Sequence, residues 1–231
     1  MVQDSNGFIT MQQDTFPGSV GDSCAETGRM MLLCYILNIL HKPVNLQLLV
    51  TPQGVVRYPS PPSPWGPSDT SADQVAPLLA ICSLQEPELA QQILDQITNN
   101  GFRTGNGEVA NPCLLAQMVR AEGHSWRQQI YDISILIQAL LLKLPFAWNP
   151  NATLNPLTWF VSSANQSANY LNFINFLGFA RAKKNFTLSC WLASKIISSD
   201  KALAEVQAYY KPEPNSQWIL DMYAAALPKI W

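Results

Sequence analysis

The sequence predicts an all-α fold, a layered helical domain of eight or nine helices with one short β-hairpin. Three observations carry that prediction. Helix-capping signatures recur in front of apolar runs. Two of those runs, at 30–40 and 128–144, are apolar on nearly every side, the pattern of helices enclosed by others. Strand-prone residues gather in one place, on either side of a Pro-Gly turn. Inner helices surrounded by amphipathic outer ones suit a layered α/α arrangement. No fixed-period repeat is present, which disfavours a solenoid.

The elements follow in order. Ser23-x-x-Glu26 reads as a capping box opening the first helix, which Pro43 ends. Residues 46–50 and 55–58 flank Thr51-Pro52-Gln53-Gly54 and predict a hairpin. The run Tyr58-Pro-Ser-Pro-Pro-Ser-Pro-Trp65-Gly-Pro67 cannot form a helix or a central strand, so it reads as an extended polyproline-type loop. Together these predict an arm at about 43–68 on a single domain, 1–231.

Ser71-x-x-Gln74 opens a second helix to about 82, and Ser83-x-x-Glu86 with Pro87 opens a third to about 98, stopped by Asn99-Asn100-Gly101. A glycine-rich loop follows. Helices are then predicted over 112–123, 128–144, 165–182, 186–198, 200–210 and 216–227.

Only 13% of the 231 residues are charged, against about 25% in a typical domain, and the net charge is -2. That balance excludes a nucleic-acid partner, which needs a basic face. Amides and hydroxyls supply the polarity instead: 17 Gln, 16 Asn, 18 Ser and 10 Thr. A surface with net charge near zero favours association over free solubility, so it suits burial in an assembly.

No segment approaches the roughly 18 consecutive apolar residues of a membrane span. The first residues lack the basic and apolar regions of a secretory signal. The cysteines, Cys24, Cys34, Cys82, Cys113 and Cys190, are odd in number and widely spaced, which indicates buried thiols and neither a zinc ribbon nor a disulfide framework. No metal or phosphate motif is present, and no cofactor is expected.

Three stretches taken together resemble a known family. They are Gly21-Asp-Ser-Cys-Ala-Glu-Thr-Gly28 entering an apolar helix, the glycine-rich Asn100 to Pro112 loop, and Asn169-Tyr-Leu-Asn-Phe-Ile-Asn-Phe-Leu-Gly-Phe-Ala-Arg181 followed by Ser189-Cys-Trp-Leu-Ala193. Their order is similar to that in tailed-bacteriophage virion proteins with a six-hairpin, glycosidase-like α/α toroid. The resemblance spans about residues 4–195. It implies a reduced α/α toroid-like fold, a virion location after synthesis in the host cytoplasm, and other protein subunits as partners.

Four sets of residues are chemical candidates. Asp22 and Glu26 are a carboxylate pair of the kind glycoside hydrolysis requires. A helix N-terminus favours the ionised form of such groups, so the capping role explains them without chemistry. Cys24 at the start of a buried helix, with His124, faintly resembles the papain-type nucleophile helix and would make a thiol amidase.

Asn165, Asn169 and Asn172 share one helix face, where they could line a subunit contact or, with Tyr170 and Trp159, bind a glycan. Trp65 on the proline loop and Trp231 are candidate contact residues. The expected function is a non-enzymatic structural subunit, forming a homo-oligomer within a phage particle. The alternative is a glycan-active enzyme or glycan-binding module.

Overall fold

The computed structural model describes residues 1–12, 19–62, 66, 69–100, 105, 166–182 and 198–230. Among these residues the fold is mostly helical, with six α-helices and two small antiparallel hairpins. In chain order the helices are α1 (Ser23–Leu37), α2 (Ala72–Gln85), α3 (Pro87–Asn99), α4 (Gln166–Ala182), α5 (Ser199–Tyr210) and α6 (Gln217–Ile230). The helices predicted at 112–123, 128–144 and 186–198 lie outside the described residues, except for Ser198, which caps α5.

The enclosed character read from the first apolar run holds for most of α1. Every side chain from Ser23 to Cys34 is buried, and the helix packs against α2, α4, α6 and the second strand. It ends earlier than Pro43 suggests. Asn38 adopts the left-handed conformation (φ 57°, ψ 47°), and its N–H closes onto carbonyls of the last turn. Asparagine tolerates that region better than other non-glycine residues, which makes it an effective stop. Lys229 Nζ adds a bond to the Leu37 carbonyl.

Successive helices are neighbours: α1 with α2, α2 with α3, and α5 with α6. The outer helices show the spacing that burial of one face demands. In α3 the buried residues are Leu89, Ala90, Ile93 and Ile97, in α5 Ala202, Val206 and Tyr210, and in α6 Ile219, Tyr223, Ala226, Leu227 and Ile230.

The predicted hairpin forms with strands β3 (Val50–Thr51) and β4 (Gly54–Val55), paired in the register Val50 to Val55. It is shorter than the sequence suggests, because residues Leu46–Leu49 wind into a 3-10 turn that buries Leu46 and Leu49. The described part of the 43–68 stretch packs several of its side chains against the rest of the domain. Val44, Val50, Val55 and Val56 are in the core, and Arg57 donates to the carbonyls of Asp69 (2.8 Å) and Gly21 (3.0 Å).

A second hairpin, β1 (Val2–Gln3) with β2 (Ile9–Thr10), was not predicted. Its turn is held by Asp4 Oδ1, which accepts from the N–H groups of Asn6 and Phe8, and by Gly7 at φ 88°. Asp4-Ser5-Asn6-Gly7 is a run of turn residues, and that was the available signal.

Candidate functional site

The described candidate residues cluster at the N-terminal half of α1, where neither carboxylate acts as the sequence motif suggests. Asp22 is the residue preceding the helix and makes no side-chain cap bond. The amide of Ala25 is capped instead from α2, by Gln74 Oε1 at 3.1 Å. Gln74 Nε2 donates to Asp22 Oδ1 at 2.7 Å, and Cys24 Sγ donates to the Gln74 carbonyl at 3.3 Å. Gln74, read from the sequence as part of the α2 capping box, thus satisfies a helix end in a different element. The Ser83-x-x-Glu86 signal is displaced too: Ser83 lies inside α2 with its hydroxyl on the Ala80 carbonyl, and only Pro87 keeps its expected place at the start of α3.

Glu26 turns into the core. It is fully buried and pairs with the Nη1 of Arg29, one turn on and equally enclosed. Two tyrosines at the end of α5 complete its shell. Tyr210 Oη donates to Oε2 at 2.6 Å, and the partly exposed Tyr209 donates to Oε1 at 3.2 Å. The Arg29 guanidinium also lies 5.8 Å from the centre of the Tyr209 ring, a cation–π distance. From α6, Tyr223 packs 6.1 Å from Tyr210, centroid to centroid. Its hydroxyl is held by Asn175 Nδ2 of α4 at 2.6 Å.

Burial pushes the Glu26 carboxyl above its ordinary value, a shift that Arg29 and the Tyr210 hydrogen bond oppose without cancelling. Burial is the largest influence on Arg29 and opposes its charge, but Glu26 together with Tyr209, Tyr210 and Tyr223 outweighs it and holds the guanidinium above its ordinary range. Burial, then the neighbouring carboxylate, raises Tyr210. Away from this cluster, a 2.6 Å bond to Asp4 pushes the Tyr58 hydroxyl up to about 12. Burial, with Glu86 and Cys24 beside it, raises the Cys82 thiol well above its usual value.

These directions set a pH dependence. The folded state holds the Glu26 proton at pH values where the unfolded chain, near 4.5, has released it. This contribution to stability is therefore present at acid pH and is lost as pH rises through the raised value. In urea unfolding across a pH series, the stability of the wild type relative to Glu26→Gln should fall as pH rises above 4.5. A relative stability that rises over that interval would contradict the assignment.

Enclosure restricts the chemistry of these groups. Neither Glu26 nor Cys24 is exposed at all, so neither reaches a substrate in this conformation. Among the described residues no three His, Cys, Asp or Glu side chains gather to hold a metal ion, and no helix is long and apolar enough to cross a membrane.

His124, Trp65, Asn165 and Trp231 lie outside the described residues, as do the side chains of Asn169 and Asn172 on α4. The asparagine that the structure places in the core is Asn175, which the sequence reading passed over. It lies three residues after Asn172, an i, i+3 neighbour on the helix, and that spacing was the signal for it.

No protein-family model, curated protein or solved structure matches the chain.

Proposed function

We propose that the chain is a non-enzymatic structural subunit of a large assembly. By its resemblance in sequence, the assembly is a bacteriophage particle and the fold is a reduced α/α toroid. The packing of α2, α4 and α6 against α1 is compatible with such a layout. The observation that carries the reading is the exposed apolar group at Tyr35 on the last turn of α1 and at Ile39 and Leu40 just past it. Leu40 is 99% exposed, Ile39 50% and Tyr35 38%, all within six residues. Scattered apolar residues are normal on a monomer, but a cluster of large ones marks a contact surface. Here the cluster sits on a chain with few charges to keep it solvated.

Sedimentation velocity over a concentration series tests this. The wild type should assemble into a homo-oligomer, and Ile39→Asp with Leu40→Asp should reduce it to a monomer of unchanged helix content. A wild type that stays monomeric throughout the series removes the homo-oligomer. Assembly that survives both substitutions removes the role of this surface.

A further inference from the structure

The buried polar cluster has a geometry that apolar packing alone would not supply. Successive residues on an α-helix point about 100° apart. Tyr209 and Tyr210 are adjacent on α5, yet both hydroxyls reach the one carboxylate, at 3.2 and 2.6 Å on its two oxygens. Only a narrow range of α5 rotations allows both. Tyr209 also covers Arg29, and Tyr210 lies edge-on to the Tyr209 ring at 4.9 Å, which narrows the range further. The second helix of this hairpin is fixed in the same way, through Asn175 and Tyr223.

The apolar residues of the hairpin, such as Ala202, Val206, Ile219 and Leu227, provide burial that is non-directional. A buried ion pair adds little net stability, because desolvation offsets its attraction.

We propose that Glu26 and Arg29, read by Tyr209 and Tyr210, are a conformational specificity device: they set the single orientation in which the α5–α6 hairpin docks on α1, without adding net stability. Removing one charge leaves the other buried and unpaired. Removing both, together with the Tyr210 hydroxyl, leaves an apolar contact of similar volume in which the partly exposed Tyr209 hydroxyl no longer has a carboxylate to orient it. The pair then differs from the Gln74 contacts, which satisfy a helix end.

Three variants test this by thermal unfolding and amide hydrogen exchange. Glu26→Gln should lower the melting temperature strongly. The triple variant Glu26→Leu, Arg29→Met, Tyr210→Phe should recover most of that loss while its amides in 199–230 exchange at least tenfold faster than wild type, with α2 and α3 unchanged. Tyr210→Phe alone, which keeps the charges, should accelerate exchange in 199–230 more than in α2. Wild-type protection of 199–230 in the triple variant would overturn the proposal. So would a triple variant no more stable than Glu26→Gln, or a Tyr210→Phe effect spread evenly over the chain.

Discussion

Arg29→Ala should cost about 3–5 kcal/mol of folding stability, the range for breaking a buried pair by removing one partner. Glu26 would be left fully buried and without its cation, while still accepting from Tyr209 and Tyr210. The alanine also vacates the space filled by the arginine stem, which is among the largest fully buried side chains described. For a chain of this length the loss corresponds to a melting-temperature drop of roughly 6–20 °C. Arg29→Lys should fall between the two, since a lysine keeps the charge but not the planar fork that engages a carboxylate and a ring together. A loss for Arg29→Ala within about 1 kcal/mol of wild type, the scale of an exposed pair, would show that Glu26 is not held as described.

Gly28→Ala is expected to be the other severe substitution. A methyl group there would lie 2.7 Å from the Pro77 carbonyl carbon and 2.8 Å from the Leu78 nitrogen. Both are backbone atoms of α2, so the helices must separate to admit it. Overpacking of this kind costs typically about 1–3 kcal/mol, and an obstacle that cannot rotate away places Gly28→Ala at the upper end. Gly178→Ala provides the control. Its new methyl would meet chiefly the tip of the Ile36 side chain, which can change rotamer. Chemical denaturation of both variants should therefore show the larger loss at Gly28. Equal losses would mean that the α1–α2 crossing yields as easily as a side chain.

The legibility of this protein divides along physical lines. The end of α3, the boundaries of α4 and the start of α5 were close to those read from the chain. Pro87 and the asparagines after 98 act within one turn of sequence, as does the Ser198 hydroxyl that the structure shows accepting from the Lys201 amide at the start of α5. The 50–55 hairpin was legible for the same reason, since its turn residues are local.

Glu26 was misplaced because its motif is local and its partners are not. Ser-x-x-Glu is a sound cap pattern, but the two tyrosines that take the carboxylate lie more than 180 residues further on. A hint was present: Arg29 stands three residues after Glu26 at the head of an apolar run, where a charge must be either exposed or paired.

What the sequence alone determined was the helical class, the places where α4 and α5 begin, and a composition poor in charge. Each depends on composition or on interactions within a few residues. The tertiary structure decided which groups face inward: that Gln74 caps a helix other than its own, that Glu26 and Arg29 meet the tyrosines, and that Ile39 and Leu40, just past α1, stay exposed. Those outcomes depend on which distant segments approach one another. That approach is settled by the packing of the whole core, since a buried polar group is tolerated only where the fold brings it a partner.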